Sequence, residues 1–376
     1  MKFLHLADLH IGKKLNEYPL YEDQRFVLEQ AFALAKTESF DAIVISGDIY
    51  DSSAPTAEAM DFYDWMLNSF FALGKPLLMI SGNHDSAERL HVASSILKRN
   101  QVYIVTKVED ALAPIEIKGT RFYLLPYFRP SDVNRAFGTE TKTFEEAMSI
   151  MVEKMAIDPA QNNVLVTHQS ILPLGSKVES SGSETALDVD ALGSVGGTET
   201  IDVGLFGSFT YLALGHIHKA QFVSHNARYA GALLKYHVKE ASAKRTFSVV
   251  EIDEGKAKVT EHPIALLRDL VVKEGTIEEL LQGKDHQSDY VYARLLDDVA
   301  VDSPYTKLKS RYPYFLGLEY SRHRFVDTEE ADYDNVEDID KNELFASFVE
   351  KYGGRSLDEQ EAEFVRDLLA QEEENK

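Results

Sequence analysis

Pro76-Leu77-Leu78-Met79-Ile80-Ser81-Gly82-Asn83-His84-Asp85 is an apolar run of strand length that stops abruptly at a polar cluster. The same event recurs along the chain. Asp8-Leu9-His10 closes the run Lys2 to Ala7, and Gly47-Asp48, with Asp51 following, closes Ala42 to Ser46. His168 comes after Asn163 to Thr167, and Gly215-His216-Ile217-His218 after Tyr211 to Leu214. In α/β proteins the carboxyl ends of the strands open onto the crevice where ligands bind, so side chains far apart in sequence can meet there. A single histidine after a strand is usually a hydrogen-bonded structural residue, and Gly-Asp is a common turn. Asp8, His10, Asp48, Asn83, His168, His216 and His218 at successive strand ends are a different matter. A set of carboxylates, one amide oxygen and imidazoles, without sulfur, suits borderline ions such as manganese, iron or zinc.

Outward from these clusters, the first 250 or so residues alternate apolar runs with amphipathic stretches, the pattern of helices covering a sheet. Further strands are expected at Phe122 to Leu125, Tyr229 to Ala232 and Thr246 to Ile252, and helices at Glu22 to Lys36, Ala57 to Leu73 and Ala87 to Lys98. From Leu266 the rhythm shortens: a strand Leu270 to Lys273, a helix opened by the Thr276/Glu279 capping box, a strand Tyr290 to Leu296, a helix Tyr305 to Arg311 and a strand Phe315 to Tyr320. An acidic linker follows, then two short amphipathic helices. The first presents Leu344, Phe345, Phe348, Val349 and Tyr352, the second Phe364, Val365, Leu368 and Leu369. Helices this short need packing to persist, so they read either as a docking element or as a segment folded back on the parent domain. The expected domains are 1–265, a small α/β cap at 266–326, a linker at 327–339 and a helical tail at 340–376.

The chain has no cysteine, which excludes disulfides and thiolate metal sites. Neither a signal peptide nor a membrane-spanning run is read, so a soluble, cytoplasmic protein is expected. The net charge of −23 argues against a surface that grips nucleic acid unaided. However, the segment from Asp327 onward holds 18 acidic and 5 basic residues and so carries more than half of that excess. Carboxylates facing bound ions would offset part of the rest.

The five clusters resemble the calcineurin-like metallophosphoesterase superfamily, with its DxH, GD, GNH[DE], strand-end His and GHxH pattern. The stretches Gly82 to Leu90, Leu125-Pro126-Tyr127, Ser194 to Glu199 and Tyr229 to Tyr236 further resemble the SbcD family, the bacterial version of the double-strand-break repair nuclease. The resemblance implies an α/β fold with a four-layer β-sandwich flanked by helices, a small α/β cap and a C-terminal helical tail. It also implies one ion held by Asp8, His10, Asp48 and His218, a second by Asp48, Asn83, His168 and His216, and Asp48 shared between them. His84 would stabilise or protonate the leaving oxygen, with Asp85 orienting its ring. Archaeal and eukaryotic relatives place a second histidine shortly after GD, where this chain has Asp51.

The implied activity is manganese-dependent DNA cleavage, exonucleolytic on double-stranded ends and endonucleolytic on hairpins and single strands. The implied partner is an SbcC-type ATPase, in a heterotetramer of two nuclease and two ATPase subunits. Lys13, Lys14, Arg89, Arg129, Lys177 and Lys219 flank the motif loops and are candidates for phosphate contacts, though each can equally be a solvated surface residue. The Gly/Ser-rich span Gly175 to Gly197 reads as a loop near the site or a tolerated insertion. The helix Ala57 to Leu73 carries Met60, Phe62, Tyr63, Trp65, Met66, Phe70 and Phe71, more apolar surface than one sheet-facing stripe requires, and the resemblance implies a homodimer built from residues 57–98, this helix and the following one through Ile96 and Leu97. An ordinary core helix is the rival. Leu344, Phe345, Phe348, Phe364 and Leu368 are the expected partner-binding residues. Two other readings stay open: a phosphoesterase acting on nucleotides or cyclic diesters, and a non-catalytic scaffold.

Overall fold

The computed structural model describes residues 1–174, 176 and 200–321, together with 345, 361, 362, 365 and 366. Residues 1–320 pack as one compact unit. Two six-stranded sheets form its centre. Edge to edge, the first runs Lys256–Pro263, Thr246–Asp253, Lys2–Leu6, Ala42–Ser46, Leu77–Ile80 and Val102–Val105. The second runs Gln221–Ser224, Ala227–Tyr229, Tyr211–Leu214, Asn162–Thr167, Thr120–Leu125 and Ile115–Ile117. In each, the central strands are parallel and the strands at one or both flanks antiparallel.

The period-two alternation of strand side chains explains the layering. Phe3, Val44, Leu78 and Ile80 of the first sheet point inward against Phe122, Leu124, Val164, Val166 and Tyr211 of the second. Phe3 packs edge-on to Phe122, with ring centroids 5.4 Å apart. The alternate residues Leu4, Leu6, Ile43, Ile45, Leu77 and Met79 face outward under the helices Tyr21–Thr37 and Ala57–Phe71. On the far side Tyr123, Leu125, Leu165, Leu212 and Leu214 lie under the helix Phe144–Lys154. The outcome is helix, sheet, sheet, helix. Strands buried on both faces read as continuous apolar runs, which is why these central ones stood out in the sequence.

Several expectations need correction. The helix expected over Ala87 to Lys98 is two, Ala87–His91 and Ser94–Lys98, separated by an extended Val92 and a left-handed Ala93. Only Leu90 of this stretch is buried in the helices, while Val92 and Ile96 are exposed, so no continuous stripe anchors one longer helix. The strand expected at Tyr229 to Ala232 is Ala227–Tyr229. Beyond it, Gly231, at φ +76°, lays its backbone on Ala220, and Ala232 N–H donates to the His218 carbonyl at 3.1 Å, so this segment buttresses the GHxH loop.

The segment after Leu266 follows its expected order: Leu270–Gly275, helix Ile277–Gln282 with the Thr276/Glu279 capping box formed, Tyr290–Leu295, helix Pro304–Arg311 and Phe315–Tyr320. The three strands make an all-parallel sheet. It is held against the first helix by Asp23, which accepts from Tyr290 Oη at 2.9 Å and from Arg268 Nη1 at 2.7 Å.

Candidate metal centre

Every strand ending at a motif delivers its polar residue to the same place, because the parallel central strands of both sheets finish at one end of the sandwich. The loops there are stitched together through the backbone: Asp8 N–H donates to Gly47 O at 3.2 Å and His10 N–H to Asp48 O at 3.0 Å. Asp8, His10, Asp48 and His216 all have positive φ, at 52°, 45°, 48° and 98°. Non-glycine residues rarely adopt this region, which costs on the order of 1–3 kcal/mol each, so the surroundings must enforce it. Here it turns four side chains inward.

The glycines of the motifs are spacers. A Cβ on Gly47 would sit 2.4 Å from His168 Nδ1, on Gly82 2.1 Å from Asp48 Oδ1, and on Gly215 1.9 Å from Ser46 O. Side chains at these positions would fill the pocket that the motif loops enclose.

Asp48 is central. Its Oδ2 lies 3.5 Å from His10 Nε2 and 3.3 Å from His168 Nε2, and its Oδ1 accepts from His84 N–H at 3.0 Å. On one side of it, His10 Nε2 and His218 Nε2 meet at 3.0 Å, and a ligand atom of each of Asp8, His10 and His218 falls within a 4.8 Å cluster. On the other, Asn83 Oδ1 is 3.0 Å from His168 Nε2 and 3.3 Å from His216 Nδ1. All seven expected residues are therefore brought together around Asp48, and Asp8 reaches both sides of it, clustering with His10 and His218 and also with Asp48 and His168.

The electrostatics of this arrangement call for cations. Asp8 is fully buried; its Oδ1 accepts from His216 N–H at 2.9 Å, while Oδ2 has no hydrogen-bond partner. Burial raises the Asp8 carboxyl to about 6 despite His168 and His218 nearby. His10 falls to about 4 as burial disfavours its charged form. Burial acts against both Asp48 and His168 as ions, yet their mutual attraction prevails, lowering Asp48 well below the usual carboxylate range and raising His168 to about 9. An orphaned carboxylate oxygen, converging imidazole nitrogens and an oxygen- and nitrogen-only donor set all fit divalent ions.

Around this set stand residues that support it. His168 Nδ1–H donates to Ser46 O at 2.7 Å, which leaves Nε2 to face Asp48. Gln24 Nε2 donates to the carbonyls of Leu9 and His10, at 3.0 and 2.7 Å, and Tyr236 Oη to Leu9 O at 2.8 Å. Glu240, buried and ion-paired with Arg245, presents Oε1 3.5 Å from His218 Nδ1. Glu240, Arg245, Gln24 and Tyr236 were not foreseen, since no spacing ties them to a motif. Asp51, which follows the GD motif, has its Oδ1 3.3 Å from His10 Nδ1 and accepts from Lys13 Nζ at 2.8 Å.

One expected role is corrected. Asp85 does not orient the His84 ring: its oxygens accept from the backbone N–H groups of Ile49, Tyr50 and Gly82, at 3.1, 2.8 and 2.8 Å. It pins the GNHD loop to the GD loop. The His84 ring is held instead by its Nδ1–H donating to Asp51 O at 3.0 Å.

Among the residues expected to touch substrate, Lys13 is tied to Asp51 and Arg89 Nη1 donates to Ser53 O at 2.8 Å. Lys14, Arg89, Arg129 and Lys219 are exposed. Lys177, the Gly175 to Gly197 span apart from the exposed Ser176, the Ser194 to Glu199 stretch, and Leu344, Phe348, Phe364 and Leu368 lie outside the described residues, whereas Phe345 is described and exposed. No helix among the described residues is long and apolar enough to cross a membrane.

Residues 1–220 match the calcineurin-like phosphoesterase family, and residues 266–352 match a family described as the type 5 capsule protein repressor C-terminal domain. A curated relative, the SbcD subunit of the nuclease SbcCD in Staphylococcus epidermidis, is 31% identical over 98% of both chains. Two solved structures also align with TM-scores of 0.40. One is a protein of Thermus thermophilus, 12% identical over 69% of this chain and 98% of its own. The other is a dimetal phosphatase from Danio rerio, 14% identical over 70% and 96%. With its amino-terminal 220 residues matching one family model and its whole length matching a nuclease subunit, the chain belongs to the calcineurin-like phosphoesterases and, among them, to the SbcD family.

Proposed function

We propose that this chain is the nuclease subunit of an SbcCD-type complex, hydrolysing DNA phosphodiester bonds with two divalent ions, manganese in the working enzyme. The observation that carries the reading is the convergence of seven ligand-type side chains into two groups around Asp48, with an orphaned oxygen on Asp8. Asp8, His10, Asp48 and His218 would hold one ion, and Asp48, Asn83, His168 and His216 the other. When bound, the ions neutralise charge on the phosphodiester and activate a water for in-line attack.

The chain's own residues do the rest. His84 donates from Nδ1 to the Asp51 carbonyl, so Nε2 is the atom that exchanges a proton with the departing oxygen. Asp85 fixes the relative position of the two loops that carry Asp48 and His84. Lys13, Arg89, Arg129 and Lys219 steady the phosphate backbone without reading sequence. The acidic surface fits a division of labour in which an SbcC-type ATPase supplies most of the DNA grip, docked through the tail residues Leu344, Phe345, Phe348, Phe364 and Leu368. The assembly is a heterotetramer of two nuclease and two ATPase subunits acting on chromosomal DNA in the cytoplasm. Its nuclease pair joins through residues 57–98, where Met60, Phe71, Val92 and Ile96 leave apolar surface exposed.

The test is manganese-dependent cleavage of a hairpin-ended duplex, with and without the ATPase partner and ATP, beside a nitrophenyl phosphate diester and a cyclic nucleotide. Cleavage of the duplex supports the reading. Hydrolysis confined to the small diesters would move the chain to a nucleotide phosphoesterase, and no hydrolysis of any substrate would leave a scaffold.

A further inference from the structure

Two carboxylates stand behind two imidazoles. Asp51 Oδ1 lies 3.3 Å from His10 Nδ1 and Glu240 Oε1 3.5 Å from His218 Nδ1, while the opposite nitrogens of the two rings, both Nε2, face each other at 3.0 Å. A neutral imidazole carries one proton on one of its two nitrogens, and the partner of the other nitrogen decides which. Two states of this pocket follow. If one ring is protonated on Nε2, it donates to the Nε2 of the other, and the pocket closes on itself with both ligand atoms consumed. If both are protonated on Nδ1, each N–H faces a carboxylate oxygen, at 3.3 Å for His10, whose Nδ1 makes no hydrogen bond in this structure, and at 3.5 Å for His218, while two Nε2 lone pairs meet at 3.0 Å, an arrangement that a cation relieves.

Both carboxylates are held in place independently of any ion. Glu240 is 2% exposed; its other oxygen accepts from Tyr236 N–H at 2.9 Å and pairs with Arg245, whose Nη1 donates to the His218 carbonyl at 2.7 Å. One guanidinium thus fixes the carboxylate and the backbone of the ring it faces. Asp51 is fixed by Lys13 on its carboxylate and receives His84 on its carbonyl, so one residue governs the settings of both His10 and His84. His168 differs, being backed by the neutral carbonyl of Ser46.

We propose that Asp51 and Glu240 are positioning residues that hold His10 and His218 in the Nδ1–H tautomer, keeping the Asp8 side of the pocket open to a cation before any ion arrives. This gives Asp51 a task beside the GD motif, and it rests on the two-ion reading above. A carboxylate behind a ligating histidine typically contributes about 10- to 100-fold to metal affinity.

The test uses the full-length, metal-free chain labelled with ¹⁵N in its histidines. Long-range proton–nitrogen correlation reads the tautomers, with assignment by single histidine substitution, and calorimetry reads Mn²⁺ binding without substrate. Wild type should show His10 and His218 protonated on Nδ1. Asp51→Ala should return His10 to a mixture containing the Nε2–H form, leave His218 as it was, and weaken Mn²⁺ binding by about tenfold or more. Asp51 is part-exposed, so this variant removes no buried charge pair and carries the decision; Glu240→Gln, which keeps the buried volume, should do the same for His218. An Nε2–H tautomer of His10 in wild type, or an Asp51→Ala protein in which either the tautomer or the affinity is unchanged, overturns the proposal. Wild type that binds no Mn²⁺ overturns the two-ion reading instead.

Discussion

Gly82→Ala isolates the steric logic of the site better than removal of a ligand does. Gly82 does not have positive φ, so alanine meets no backbone penalty there, and the whole effect comes from what its Cβ touches. That carbon would lie 2.1 Å from Asp48 Oδ1 and 2.4 Å from Asp48 N, so the carboxylate must retreat by about 1 Å to restore even a 3.0 Å separation. Asp48 Oδ1 also accepts from His84 N–H at 3.0 Å, so the retreat is transmitted to the GNHD loop. Overpacking of this kind costs roughly 1–3 kcal/mol of stability. A displacement of about 1 Å in a reacting geometry costs on the order of 100-fold in rate. Thermal melting and manganese-dependent hydrolysis of a nitrophenyl phosphate diester measure the two effects separately. A folded Gly82→Ala protein that keeps its melting temperature and hydrolyses within threefold of wild type would refute the argument that Gly82 is a spacer for Asp48.

Asp48→Asn and His84→Ala should each abolish cleavage of a hairpin-ended duplex while leaving the circular dichroism spectrum unchanged; a pure sample of either with normal activity contradicts the assigned roles. Arg268→Ala removes a partner of Asp23, which is 1% exposed, at 2.7 Å. With Tyr290 still donating, urea denaturation should show a loss of about 1–3 kcal/mol, and an unchanged midpoint would mean that this contact does not hold the three-stranded sheet to the first helix. Met60→Asp combined with Ile96→Asp charges side chains that are 55% and 62% exposed. Sedimentation should show wild type self-associating and the double variant monomeric, and identical behaviour of the two would exclude this surface as the dimer contact.

What could be read directly from the sequence was set by burial and by strand ends. Runs such as Ala42 to Ser46 and Tyr211 to Leu214 are covered on both faces, so they are apolar throughout and their boundaries are sharp. Lys256–Pro263 is a sheet edge with mostly exposed or half-exposed side chains, and its Lys-Ala-Lys-Val-Thr-Glu pattern carries little strand signal. The ligand-type residues were visible because each lies in the short loop that leaves a strand end. Asp85 was misjudged because it adjoins His84 in sequence, whereas successive side chains in a tight loop diverge, and Asp85 turns back onto backbone amides. Glu240 and Arg245 could not be found this way. They reach His218 through a fold-back after Gly231, a contact created by the tertiary path alone.

Anomalous diffraction from a crystal of the protein grown with Mn²⁺ tests the central claim most directly. The account predicts two peaks about 3.5–4 Å apart, both within coordination distance of the Asp48 carboxylate, one also touching His10 and His218 and the other Asn83, His168 and His216. A crystal with no ion in this pocket, or with ions bound by residues that leave Asp48 out, would contradict it.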